Sequence, residues 1–261
     1  MTQDRELLAV AGEAVDAGAR WLAGEAPDRS RARYKPSGEE VTDADVEIER
    51  RVSEFLRRRT PGIPVVGEES FAGGPLPERC WLLDPVDGTM NFARGAPLYG
   101  ISLAYAEDGV PRVGVLDAPA LGRRWTTGGS SSAGRASVAA RDSVRELRRA
   151  VVGLTGTGSG DPRAGALLTL LYDETYRIRL QGAMSLDLVG VAEGWMDACL
   201  CIGPKPWDVA AGIPLVRERG LAVLGADGAD YDFSSPVLAA GDRRVALELL
   251  DRWGQAGAVC P

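Results

Sequence analysis

At 261 residues, with 45% hydrophobic and 26% charged residues, the chain has the length of one large or two modest domains and the composition of a soluble globular protein. It contains no histidine, which excludes a Ser-His-Asp triad, a histidine general base, a His-ligated zinc site and a proximal-His haem. Acid–base and metal chemistry therefore fall to 37 Asp and Glu, and against 30 Lys and Arg these leave a net charge of −7, which argues against a nucleic-acid backbone as the main partner.

The first six residues are polar and lack the apolar core of a signal peptide. Leu7, Leu8, Ala11, Val15, Ala19 and Leu22 recur at helical spacing and predict a helix over 5–23. Residues 27–37 read as a polar, Arg-rich connector. Val46, Ile48, Val52, Phe55 and Leu56 mark a second helix, ended before Pro61-Gly62. A short apolar strand over 63–67 stops at Glu68-Glu69, and a second over 81–83 breaks at Asp84-Pro85. Residues 101–105 and 110–116 predict paired strands across Asp108-Gly109.

A Gly/Ser-rich loop over 128–134 and an Arg-rich stretch over 141–149 place a domain boundary within 135–150, giving parts 1–140 and 141–261. The second part alternates: a strand at 151–154, a helix around 167–171, a strand at 177–180 and a helix over 185–192. A helix then runs from Trp207 to about Arg219, with a strand at 237–240 and a last helix over 243–252. The cysteines are Cys80, Cys199, Cys201 and Cys260. They form no Cys-x-x-Cys pair, so a reducing cytoplasm is the expectation. Cys199 and Cys201 alternate as strand residues do, which points to core packing. No apolar run is long enough to span a bilayer.

Acids repeatedly end apolar runs, where open α/β sheets bind ligands. The densest case is Trp81-Leu82-Leu83-Asp84-Pro85-Val86-Asp87-Gly88-Thr89-Met90-Asn91-Phe92. Two carboxylates on a rigid turn suit a hard divalent cation. Gly88 permits close backbone approach, and Thr89 can open a helix whose N–H groups suit a phosphate oxygen. Turn formation and helix capping are the alternative for Asp84 or Asp87 taken singly.

This string resembles the first signature of the inositol monophosphatase-like family of magnesium-dependent, lithium-sensitive phosphatases. Lys205-Pro206-Trp207-Asp208-Val209-Ala210-Ala211-Gly212 is similar to the second signature. Gly67-Glu68-Glu69-Ser70 and the block from Lys35 through Val41-Thr42-Asp43-Ala44-Asp45 stand upstream in the family's order. The resemblance implies an α/β, αβαβα sandwich and a homodimer acting on a small phosphorylated alcohol; the charge balance and the lack of a spanning apolar run lead us to expect neither nucleic acid nor membrane as partner.

By the resemblance, Glu68 and Asp84 hold a first Mg²⁺ with the backbone carbonyl of Val86. Asp84, Asp87 and Asp208 hold a second, and a weaker third ion lies near Glu68; Li⁺ is the expected inhibitor. The amides of Gly88 and Thr89, with the Thr89 hydroxyl, bind phosphate. Asp45 and Thr89 activate the attacking water. Asp87, Asp208 and the backbone of Gly182, Ala183 and Met184 face the alcohol. Unaided phosphate monoester hydrolysis is slow enough that enzymes accelerate it up to ~10²¹-fold, and a multi-metal site meets that demand without histidine.

Each role has a plainer alternative. Asp45 closes a capping-box spacing with Thr42, and Asp208 could be an N-cap. Glu69 reads as a surface or supporting acid. Lys35 reads as a surface lysine or one that steers phosphate, and Trp207 as a packing anchor. There are also departures from the family. Glu218-Arg219-Gly220-Leu221 replaces the usual small residue and second glycine. Cys201, seven residues before Asp208, stands where inositol-phosphate hydrolases usually carry a glutamate that contacts a substrate hydroxyl. Counting nineteen back from it reaches Gly182, which keeps the register.

Without that glutamate, myo-inositol 1-phosphate is not expected to be preferred, unless Asp161 or Asp187 supplies the acceptor. A sugar, cyclitol, nucleoside or histidinol phosphate is expected instead. The alternatives are a bisphosphatase, for 3′-phosphoadenosine 5′-phosphate or fructose 1,6-bisphosphate, and a non-catalytic phospho-ligand sensor on the same fold.

Overall fold

A computed structural model of the chain describes residues 2–24, 32–35, 40–129, 146–156 and 160–259. Most of the Arg-rich connector, the Gly/Ser-rich loop beyond residue 129, most of the expected boundary region and Cys260 lie outside the described residues. The chain forms two compact units. One comprises Met1–Gly134 with Pro206–Pro214, and the other Arg135–Lys205 with Leu215–Pro261. Both are mixed α/β, as expected.

The first unit opens with helix α1 (Thr2–Gly24), a two-residue strand pair β1 (Arg33–Tyr34) and β2 (Glu40–Val41), and helix α2 (Asp43–Arg59). Its five-stranded sheet has the order β3 (Val65–Gly67), β4 (Arg79–Asp87), β5 (Gly100–Glu107), β6 (Val110–Ala118), β7 (Arg123–Thr126). The β3–β4 pair is parallel and the others are antiparallel. The β5–β6 hairpin turns at Asp108 (φ 51°) and Gly109 (φ 74°), the two left-handed residues that a tight hairpin requires. Ile48, Val52 and Leu56 of α2 and Ala11, Ala14 and Val15 of α1 share a core with Trp81, Leu83, Ile101, Leu103 and Tyr105 of the sheet. Alternation along the strands turns those residues to the helices and leaves Ser102 and Ala104 on the other face.

Strand β4 does not stop at Asp84. It runs through Pro85 to Asp87, and its register with β5 shifts between Asp84 and Asp87. Proline in an interior strand is tolerated at such an irregularity because no ladder N–H is needed there. The bulge re-aims both acids instead of ending the strand. Helix α3 (Thr89–Ala93) follows at once.

The second unit's sheet has the order β11 (Ala222–Leu224), β12 (Val237–Gly241), β10 (Ala198–Ile202), β8 (Val151–Thr155), β9 (Arg177–Arg179). Leu167 and Leu171 of α4 (Arg163–Glu174) and Val245, Leu249 and Trp253 of α8 (Arg243–Val259) share a core with Ala198, Leu200 and Ile202. By strand alternation, Cys199 and Cys201 face the opposite side. There Gly153 meets Cys199 and Met196, and α5 (Met184–Ala192) packs on β8 and β10. Both cysteines are fully buried.

Asp187 of α5, also fully buried, accepts hydrogen bonds from Thr155 Oγ1 and, at 2.7 Å, from Gln181 Nε2. Burial pushes its carboxyl up to about 6, against the pull of those hydrogen bonds. Its folded pKa lies above the ordinary 3.8, so the stability it contributes is full below that value and is lost as pH rises through about 6. Urea titrations should show that loss, on the order of 3 kcal/mol at most. Asp187→Asn should flatten the profile across this window, and an unchanged profile would contradict the assignment.

The helix expected from Trp207 to about Arg219 is two helices, α6 (Pro206–Val209) and α7 (Gly212–Arg217). Pro214 has no N–H and would clash with the carbonyl of Ala210 in a continuous helix. A single cut at residue 140 also differs from the structure, because 206–214, carrying Asp208, belongs to the first unit. Ser102 Oγ donates to the Trp207 carbonyl at 3.2 Å, and the Trp207 ring meets Phe71 edge-on at 5.4 Å. Gly114 of β6 leaves room for the Ala211 carbonyl, with which a Cβ would collide. Strands β1, β2, β7 and β11 were not expected. Two to four residues are too few to show a period. No helix among the described residues is long and apolar enough to cross a membrane.

Candidate active site

Three chain segments of the first unit carry the acids into one place. Glu68 follows the end of β3, Asp84 lies at the β4 bulge, and Asp208 is the third residue of α6. One carboxylate oxygen from each lies within 4.8 Å of the others. Asp208 is inside its helix and not at the N-cap position, so capping does not account for it. Asp87, 7% exposed, ends β4 next to this group.

The cluster crowds like charges around Asp84. Asp84 is buried, and its carboxyl is held well above the usual range, first by burial and then by the charges of Glu68, Asp87, Asp208 and Asp45. Such crowding is unfavourable for the protein alone and favourable toward a divalent cation, which takes hard oxygen ligands from several carboxylates. The donor set therefore fits a metal ion. Asp84 Oδ1 also accepts the Val86 N–H at 3.0 Å, which orients that carboxylate on its turn.

Lys35 is a half-buried, ion-paired lysine and not a free surface one. Its Nζ lies 2.7 Å from both Glu68 Oε1 and Glu69 Oε1. Burial works against its charge, but the two carboxylates outweigh that and raise its pKa. Glu69 is pushed up to about 7, by burial first, with the Lys35 hydrogen bond opposing. Thus Glu69 supports the Lys35 ammonium and stands beside the cluster.

Asp45 is both a cap and part of the site. Its Oδ2 accepts from Thr42 N at 2.8 Å and from Thr42 Oγ1 at 2.5 Å, while Ala44 N donates to Thr42 Oγ1 at 3.2 Å, which makes the capping box of α2. Its Oδ1 accepts from Thr89 Oγ1 at 2.9 Å. The Thr89 hydroxyl is also 3.0 Å from the Val86 carbonyl, so its one proton has two acceptors in reach. Burial raises the Asp45 carboxyl, and the hydrogen bonds of Thr42 and Thr89 oppose that shift. Gly88, at φ 87°, takes the left-handed turn that starts α3 directly after Asp87. A residue with a Cβ would be strained there.

Gly182, Ala183, Met184 and Cys201 belong to the second unit. Gly182 adopts φ 73°, and Ala183 stands at the N-cap of α5 before Met184. Cys201 lies fully buried in β10, in register with Thr155 of β8 and Leu238 of β12. No exposed thiol meets a substrate there, so the expected contact becomes the absence of one. Neither candidate replacement is free. Asp187 is buried on Thr155 and Gln181, and Asp161 is held by Arg163 Nε at 2.9 Å and Nη2 at 2.6 Å.

Residues 3–253 match the model of the inositol monophosphatase family. The chain is 36% identical over 227 residues to the histidinol-phosphatase of Mycobacterium tuberculosis, covering 79% of this chain and 85% of that one. It is 34% identical over 189 residues to the fructose-1,6-bisphosphatase/inositol-1-monophosphatase of Thermotoga maritima, covering 72% of each. Among solved structures, the Thermotoga maritima IMPase superposes with a TM-score of 0.83 at 25% identity, over 99% of this chain and 100% of that one. With the acids, the threonine and the left-handed glycine in place on this fold, the chain belongs to the inositol monophosphatase family and is a phosphoric monoester hydrolase.

Proposed function

We propose that the protein is a Mg²⁺-dependent phosphatase of a small phosphate monoester, not optimised for myo-inositol 1-phosphate. The observation that carries the metal dependence is the meeting of Glu68, Asp84 and Asp208 within 4.8 Å, beside a Thr89 hydroxyl held by Asp45. Glu68, Asp84, Asp87 and Asp208, with the Val86 carbonyl, are the ligands in this reading. A bound divalent cation lowers the pKa of a water and offsets charge on the reacting phosphate oxygens.

The chain's own groups do the rest. Thr89 donates a hydrogen bond to Asp45, which leaves a lone pair on its oxygen to accept a hydrogen bond from a water. That orients the water toward phosphorus. The raised carboxyl of Asp45 suits it to receive the proton. The amides of Gly88 and Thr89 seat the phosphate, and Asp87 and Asp208 face the alcohol. Lithium inhibition, a homodimer and a cytoplasmic location belong to the same reading.

The substrate class rests on position 201. A carboxylate accepting a substrate hydroxyl contributes roughly 1.5–3 kcal/mol, or about ten- to 150-fold in affinity. A buried thiol supplies none of this, so a less hydroxylated or amino-substituted alcohol is better served. The mycobacterial relative named as a histidinol-phosphatase supports testing that alcohol first. The relative named for fructose 1,6-bisphosphate makes a bisphosphate the second reading.

The test is phosphate release across histidinol, nucleoside, sugar and inositol phosphates and fructose 1,6-bisphosphate, with Mg²⁺ and after chelation. Inositol 1-phosphate should have a lower kcat/KM than histidinol phosphate or a nucleoside phosphate. Its emergence as the best substrate would overturn the specificity argument. The comparison is made on the native protein, so that it reads the specificity of the existing site without a new charge at position 201.

A further inference from the structure

Glu49 takes no part in the cluster, yet it is buried, 5% exposed, on the face of α2 that carries Asp45 one turn earlier. A buried carboxylate is costly unless hydrogen bonds compensate. Its Oε2 accepts the backbone N–H of Glu69 at 2.8 Å. Its carboxylate lies against the α-carbon of Gly67, where a Cβ would collide with Cδ and with both oxygens. The backbone of Gly67 is not left-handed, so glycine is needed there for close approach and not for conformation.

Glu68 lies between those two contacts. Its own N–H donates to the Leu83 carbonyl at 3.0 Å, and the Phe71 N–H closes the turn on the Gly67 carbonyl at 3.0 Å. The turn is thus tied to β4 on one side and to α2 on the other.

We infer that Glu49 is a positioning residue for the Glu68–Glu69 turn: by accepting the Glu69 amide against the bare α-carbon of Gly67, it holds Glu68 within reach of Asp84 and Asp208. The inference rests on the metal-holding role proposed above for Glu68. One face of α2 then sets two parts of the site, Thr89 through Asp45 and the ligand turn through Glu49.

The experiment compares the full-length protein with Glu49→Ala, Glu49→Gln, Gly67→Ala, the Glu49→Ala/Gly67→Ala double variant, and Val52→Ala as a core truncation of the same helix. Mg²⁺ affinity is measured by calorimetry, and amide exchange over 67–71 by mass spectrometry without metal. Removing a group that orients a metal ligand typically weakens affinity about 10- to 100-fold, and Glu49→Ala should fall in that range while speeding exchange at Glu69. Glu49→Gln keeps an acceptor oxygen and should recover most of both. Gly67→Ala should reproduce Glu49→Ala by displacing the carboxylate, and should add little in its background, where nothing remains to displace. Val52→Ala should lower Tm and leave both readouts alone.

Native-like affinity and exchange in Glu49→Ala would overturn the inference, as would an equal loss in Val52→Ala or additive effects in the double variant. Were the native protein to bind no Mg²⁺, the metal reading itself would fail. Exchange at Glu69 would still decide whether Glu49 holds the turn. Were Glu49→Ala not to fold, Gly67→Ala with native affinity and exchange would overturn it.

Discussion

Asp84→Asn should lose at least about 10²-fold in phosphate release at any attainable Mg²⁺ concentration. Removal of a group that only orients a ligand costs about 10- to 100-fold, and loss of a residue that would itself hold the metal, as proposed for Asp84, should reach the top of that range or exceed it. The substitution is nearly isosteric. Its remaining oxygen can still accept the Val86 N–H that orients the side chain. The same change should not destabilise the metal-free protein. Asp84 is crowded by Glu68, Asp87, Asp208 and Asp45, and its carboxyl is held well above the usual range. Neutralising it removes that repulsion, so Tm without added metal should equal or exceed the native value. Activity lost with stability kept or gained is the signature of a site strained for function. Full activity of Asp84→Asn with unchanged Mg²⁺ dependence would remove Asp84 from the metal site.

Asp45→Asn and Thr89→Ala should each lower kcat by about 10²- to 10⁴-fold, the usual worth of a positioned proton acceptor. KM should change little, because both residues act on the attacking water and not on the bound alcohol. The structure sharpens this test. Asp45 uses one oxygen to cap α2 and the other to hold Thr89. Thr89→Ala leaves the cap whole, so its loss is not a capping effect. A change in Thr89→Ala confined to KM would make Thr89 a substrate-positioning residue. It would also leave Asp45 with capping as its established task.

The three acids that the fold brings together, Glu68, Asp84 and Asp208, could be named before any fold was known, because they stand in blocks of familiar order. The acids and amides of the Asp84–Thr89 string are close in sequence, so local backbone geometry already brings them together. Glu49 was not legible in this way. It sits among Glu47, Arg50 and Arg51 and reads as part of a solvated helix face. A signal was available in hindsight. Asp45, Glu49 and Ser53 recur every four residues and flank the buried stripe of Ile48 and Val52. Three polar residues along a buried edge imply partners, but not which ones. Lys35 was similarly open, since only its approach to Glu68 and Glu69 tells a solvated ammonium from a bridging one.

By itself the sequence determined what acts over a few residues: the turn after β3 at Glu68-Glu69, the α2 capping box from Thr42 and Asp45, and the hairpin at Asp108-Gly109. These follow from dihedral preferences and periodicity, which have a reach of about one helical turn or one hairpin. Only the tertiary structure decided that Asp208 joins the first unit, that it meets Glu68 and Asp84, and that Cys201 is buried. It also showed that β4 runs on through Pro85 and that Pro214 divides the expected helix in two. Those outcomes depend on sheet register and on which surfaces bury one another. Residues distant in sequence become neighbours because the core they share excludes water.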